Sequence, residues 1–319
     1  MNPTRPFLPH SSPSLRHLST AAKPSTSSST GITPLTRRLF QLPPSPTNPS
    51  PSHTDLSSFL SYAQRTALPE STTTYQGTHY EYTVQSHLRN SAFNLHRVGG
   101  RSDLGVDLQG TWHVGANPIH DPPIRVIVQC KALKTKIGPN IVRELDGVTA
   151  RHFRGKSGPV GAGVLVSPRE ATRGVREAIG RSGVPLVWMM VGREGKVRQV
   201  LWNGRVDGVG LGLGGLGVEV LYPADTGVVE GEGEDGDGHA KEAEARLTWD
   251  GREVQTMDDV EEGMRVLEEE WMARWERYGL REISAEEVLD AVERVVPWTR
   301  PITISDEDRE AVARSLLTS

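Results

Sequence analysis

The chain has 319 residues, 36% hydrophobic and 24% charged, which gives room for one substantial domain with attachments. A single cysteine, Cys130, excludes an intramolecular disulfide framework and a thiolate zinc site, and no apolar run approaches the roughly 18 residues of a membrane-spanning helix. The net charge of −4 is a cancellation: residues 1–54 carry five basic residues and no acid, 55–229 carry 20 basic against 14 acidic, and 230–319 carry 11 basic against 26 acidic.

Residues 1–54 hold 11 of the 22 prolines and 11 serines. Such a composition buries too little apolar surface to offset ordering entropy, so disorder is expected. A basic, Ser-rich, acid-free leader is the mitochondrial presequence pattern, and the matrix is the expected destination.

From residue 77 the chain carries folding signals. Tyr80, Val84 and Leu88 recur four apart, which predicts a helix over 77–90 starting at Gly77 or Thr78. Weak strands follow around Phe93–Val98 and over 106–112. Residues 124–133 form a β-branched run that reads as a central strand. A helix is expected over 140–153, with Ile141, Leu145, Val148 and His152 on one face. Buried strands at 160–166 and 184–191 flank another helix near 171–181. Alternating strands and helices imply an α/β sheet, antiparallel at its start and parallel at its finish. Shorter strands are expected at 199–203, 218–222 and 247–249.

The segment 208–217 contains Gly210, Gly212 and Gly215 in GxGxxG register, but no helix is predicted after it, so a hairpin loop is the better reading. Residues 230–246 read as an acidic linker. Residues 247–319 form a strand and a helical arm, whose longest helix carries Val260, Met264, Leu267, Trp271, Trp275 and Tyr278 as an apolar stripe. That stripe is expected to pack on the core or on a protein partner. At −15, residues 230–319 add nothing to a phosphate-binding face.

Two segments carry chemistry together: 99–107, a Gly-rich approach to Asp107, and 128–131, Val-Gln-Cys-Lys. Residues i and i+2 of a strand share a face, so Gln129 and Lys131 point one way and Cys130 the other. If the two segments pair, Asp107 sits beside Gln129 and Lys131. A carboxylate and an amide oxygen suit a hard cation such as Mg²⁺, and a neighbouring ammonium can orient a water.

Gly77-Thr78-His79-Tyr80-Glu81, Asp103-Leu104-Gly105-Val106-Asp107, Gln129-Cys130-Lys131 and Ile141-Val142-Arg143-Glu144-Leu145 together resemble the PD-(D/E)xK nuclease superfamily, above all its Mrr-like restriction-endonuclease branch. With the leader, the blocks look similar to the fungal mitochondrial family named Required for respiratory growth protein 7. The resemblance implies a restriction-endonuclease-like mixed sheet flanked by helices, over a domain at 55–229 with its core at 75–195. It implies Mg²⁺ or Mn²⁺ held by Asp107, Gln129 and the backbone carbonyl of Cys130. It also makes Lys131 the water-activating residue, Glu81 an auxiliary acid that binds metal directly or through water, and Asp103 a turn-ordering residue. Gln129 stands where many members have Glu, which removes one negative charge from the site.

Arg143, Arg151 and Arg154 on the first crossover helix, Arg169, Arg173 and Arg176 near the next, and Lys134 and Lys136 beyond the central strand could neutralise phosphates. The expected function is therefore metal-dependent hydrolysis of mitochondrial DNA or RNA. The alternatives are a non-catalytic nucleic-acid binder and a respiratory assembly factor acting through the acidic arm.

Overall fold

A computed structural model describes residues 31–47, 49–100, 105–154, 161–207, 211–222 and 243–318. The leader's first 30 residues, Asp103, Gly210 and most of the acidic linker lie outside them.

The chain runs through α1 (Pro34–Leu39), α2 (Leu56–Arg65), α3 (Thr73–His87) and a 3-10 turn at Leu88–Ser91 into β1 (Phe93–Arg97), β2 (Leu108–Trp112) and β3 (Ile124–Cys130). Next come α4 (Pro139–Phe153), β4 (Ala162–Ser167), α5 (Arg173–Arg181), β5 (Leu186–Val191), β6 (Val197–Trp202) and the single turn α6 (Gly204–Asp207). The remainder is β7 (Leu216–Leu221), β8 (Glu244–Trp249), β9 (Arg252–Glu253), α7 (Met257–Glu276), α8 (Ala285–Val295), a 3-10 turn at Pro301–Thr303 and α9 (Asp306–Leu317).

The six strands β1 to β6 lie side by side in chain order. β1–β2–β3 is an antiparallel meander; β3, β4 and β5 are parallel, joined by crossovers through α4 and α5. The expected parallel finish is incomplete, because β6 returns antiparallel along β5 through the short turn around Gly195. A tight hairpin can make only an antiparallel pair.

The central strands are buried on both faces, as their apolar runs demand: every residue of β4 is buried. One face packs Val126, Val128, Leu108 and Trp112 against Tyr80, Val84 and Leu88 of the α3 region. The other packs Ile127, Leu165 and Trp188 against Val142 and Leu145 of α4 and Val175 and Ile179 of α5. Gly163 of β4 lets α4 come close, since a Cβ there would lie 2.2 Å from Thr149 Oγ1.

Several boundaries differ from expectation. α3 begins at Thr73 because the Thr72 hydroxyl accepts the Tyr75 amide, a cap that outweighs the Gly77 signal. β8 begins at Glu244, inside the expected linker. It pairs with β7, and Ala245, Leu247 and Val254 join the α3-side core of the main sheet. The segment after the expected linker thus divides: β8 and β9 join β7 in a separate three-stranded sheet that packs on the α3-side core, and the helices form a core of their own.

That helical core departs furthest from the sequence expectation. Residues 31–54, expected to be disordered, include α1, capped by Thr33, and its Leu39 and Phe40 are fully buried against Val260, Met264, Trp271 and Trp275 of α7 and Leu289 of α8. Thr36 Oγ1 donates to Glu268, and Arg38 pairs with Asp290 and Glu293. The α7 stripe is covered by α1, α8 and α9 of its own chain. Arg89, in the 3-10 turn before β1, ties the arm to the sheet through Asp258 and Glu261 of α7.

Candidate functional site

The carboxyl ends of β3, β4 and β5 and the entry to β2 meet at one edge, where ligands bind in open α/β sheets. Asp107 precedes β2. Its amide donates to Val128 O at 2.9 Å, and its carbonyl accepts from the Val98 and Gly99 amides. Val106 packs on the α4–α5 face while Leu108 packs on the α3 face, so strand alternation breaks at Asp107. The break turns the carboxylate toward β3, where Oδ2 accepts the Cys130 amide at 2.6 Å.

β3 distributes its last residues as alternation requires. Cys130 packs with Val126 and Val128 on the α3 face, and Gln129 takes the side of Ile127. Burial pushes the Cys130 thiol well above its usual range, and the charges of Asp107 and Glu81 push the same way against Lys131. It is therefore held as a thiol, with no nucleophile's character.

Gln129 is only 4% exposed, and its Oε1 finds no hydrogen-bond partner among the described residues. A buried acceptor without a partner costs about 1–3 kcal/mol, so the Gln129 Oε1 is available to a donor or a cation. Its Nε2 rests against Gly105, where a Cβ would approach to 2.8 Å and where φ is +83°. Gly105 is thus needed both for its left-handed backbone and for the space that Gln129 fills. Lys131 lies just past β3, half-buried, its amide bonded to Val166 O at 2.8 Å.

The structure brings Asp107, Gln129 and Lys131 to one end of the sheet. Glu81, on α3, lies near enough for its charge to act on the Cys130 thiol, and it pairs with Arg97 Nε at 2.5 Å, both side chains largely buried, with the Arg97 guanidinium also over the Tyr82 ring. No group of three His, Cys, Asp or Glu side chains stands ready for a metal among the described residues. The available donors at Asp107 and Gln129 are a carboxylate and an amide oxygen, a hard-oxygen set that fits Mg²⁺ or Mn²⁺ with water completing the shell. The orphaned Gln129 Oε1 is the observation that makes the fit.

Beside this end opens a cleft of about 650 Å³, walled by the loops that follow β3, β4 and β5. Lys134, Lys136 and Arg169 line it. Arg143, Arg151, Arg154, Arg173 and Arg176 do not; they are exposed on α4 or its end and on α5, and Arg173 is paired with Glu177. Sequence reasoning missed Arg193 and Arg198, which reach the cleft from the β5–β6 hairpin. The signal was present in three cations within 193–198 between two apolar strands.

A family model described as Required for respiratory growth protein 7 matches residues 72–122 and 115–211. An uncharacterized mitochondrial protein of Schizosaccharomyces pombe is 42% identical over 100 residues, covering 31% of this chain and 40% of that protein. Required for respiratory growth protein 7, mitochondrial, of Vanderwaltozyma polyspora is 27% identical over 162 residues, 38% of this chain and 65% of its own. The Saccharomyces cerevisiae protein of the same name is 26% identical over 169 residues, 41% of this chain and 70% of its own. The chain thus spans between two fifths and just under two thirds of the first two relatives. No solved structure matches it. The stretch similar to the Required for respiratory growth protein 7 family is the helix and sheet unit that carries Asp107, Gln129 and Lys131.

Proposed function

We propose that this chain is a mitochondrial, divalent-metal-dependent nuclease that hydrolyses phosphodiester bonds of organellar DNA or RNA on a restriction-endonuclease-like fold. The relatives' printed names and the acid-free leader support the mitochondrial setting, with the matrix as the site of action. The antiparallel meander leading into a parallel crossover supports the fold assignment. The observation that carries the activity is the buried, unpartnered Oε1 of Gln129 at the same sheet end as the Asp107 carboxylate and Lys131.

Asp107 and Gln129, with the Cys130 carbonyl, would hold Mg²⁺ or Mn²⁺. Such an ion supplies Lewis-acid neutralisation of charge on the phosphate. Lys131 would hold the attacking water by hydrogen bond and help move its proton. The Cys130 amide fixes the Asp107 carboxylate so that it need not reorganise on binding. Glu81 would serve as the auxiliary acid, reaching the metal directly or through water, with its charge shared with Arg97.

The full chain is expected to cut nucleic acid with Mg²⁺ or Mn²⁺, and Lys131→Ala to slow cutting by about 100-fold or more. Cutting that is equal in wild type and Lys131→Ala contradicts the assignment. The second reading, a non-catalytic binder on the same scaffold, is favoured by the internal bonds of Asp107 and Glu81; it expects binding that survives Lys131→Ala and no hydrolysis in either protein.

A further inference from the structure

The cleft beyond β3 holds more positive charge than a cation site next to it requires. Five cations and two carboxylates line it. Lys136 is paired with Glu170 at 3.1 Å, and Arg198 with Glu194 at 2.6 Å. Lys134, Arg169 and Arg193 have no carboxylate partner among the described residues, and Arg193 is steadied by donating to the Ala132 carbonyl at 2.9 Å. Three uncompensated cations on three separate loops thus converge on one concave space.

The volume is that of a small-ligand site rather than a groove for a long duplex. Its place is the carboxyl end of the parallel strands, two residues along the chain from Lys131 at Leu133. Convergent cations of this kind match a phosphate dianion better than a phosphodiester, which carries one charge. Diester neutralisation along a strand calls for an extended row, as along α4, whereas Lys134, Arg169 and Arg193 are exposed side chains set around one concave space.

We propose that this cleft binds the terminal phosphomonoester of a nucleic-acid strand, with Lys134, Arg169 and Arg193 as its ligands. Glu170 and Glu194 limit the pocket's charge. The inference rests on the nuclease reading and narrows it to substrates that carry a phosphorylated end, which seat that end beside the residues that act on the chain.

The test is binding of the full chain to one short oligonucleotide sequence in three forms: 5′-phosphate, 3′-phosphate, and hydroxyl at both ends. Chelator in the buffer prevents cleavage. One phosphorylated form is expected to bind about tenfold tighter than the hydroxyl form, and which one identifies the end. Lys134→Gln with Arg169→Gln, and separately Arg193→Gln, should remove the preference. Glu170→Gln, which frees Lys136, should enlarge it, a gain that a damaged fold would not produce. Equal affinity for all three forms, or a preference kept in both the double variant and Arg193→Gln, overturns the pocket and leaves the hydrolysis reading standing. No binding of any form also overturns the pocket, and the hydrolysis reading is then decided separately by cleavage with Mn²⁺.

Discussion

Asp107 bonds to β3 through its amide and its carboxylate and to the residues just after β1 through its carbonyl, and this shapes how its variants read out. Its carboxylate satisfies the Cys130 amide, so Asp107→Ala strands a buried donor at a cost of about 1–3 kcal/mol whether or not the residue acts in catalysis. Asp107→Asn keeps an acceptor oxygen and removes the charge. Urea unfolding is expected to show Asp107→Ala destabilised and Asp107→Asn close to wild type, while both lose metal-dependent cleavage. Full cleavage by Asp107→Asn would mean that the charge is not used. The pairing of this residue with the Gln129–Lys131 strand was legible from alternation in the sequence. Its in-plane orientation was not, because that depends on the break between Val106 and Leu108, set by which core each side chain enters. Glu81 shows the same limit: its spacing on α3 is local, but Arg97 reaches it from a separate strand.

At the scale of elements, β3 was readable because a β-branched run buried on both faces has few other solutions. α3 and α4 were readable from their apolar spacing, with error at the start of α3 where a side-chain cap decides. α1 was not readable. Its Pro-rich surroundings argue for disorder, and what orders it is a hydrophobic face more than 200 residues away in α7 and α8, which no local window contains. The consequence is testable. Leu39→Ala, at a fully buried position, should cost about 2–5 kcal/mol, measured as unfolding of the helical core by urea with the α7 tryptophans as the fluorescent probe. An unchanged midpoint would mean that α1 is not part of that core. Because Leu39 and Phe40 are core residues, any removal of the leader that preserves the arm must leave them in place.

At the scale of the whole molecule, the charge divides between a basic sheet unit and an acidic arm joined through Arg89. Buried histidines give the fold a pH dependence of definite sign. Burial holds His113 down to about 4 from 6.5, so between those values the unfolded chain takes up a proton that the folded chain refuses. Stability from this residue is complete above pH 6.5 and falls as pH drops toward 4, by about 3 kcal/mol. His53 and His96 are lowered by burial too and add in the same direction. Denaturant midpoints should therefore decline between pH 7 and pH 4.5, and less steeply in His113→Gln. A midpoint that rises on acidification in this range would contradict the burial of these rings.

Hydrolysis of the proposed kind requires a divalent cation held by Asp107 and Gln129. Thermal melting of the full chain with and without Mn²⁺ tests this without recourse to any substrate. At ten times its Kd the ion should add about 1.4 kcal/mol, a rise of roughly 2–6 °C, and the rise should vanish in Asp107→Asn and in Gln129→Leu. A Mn²⁺-induced shift that persists in both variants, or none in wild type at millimolar Mn²⁺, would contradict the site.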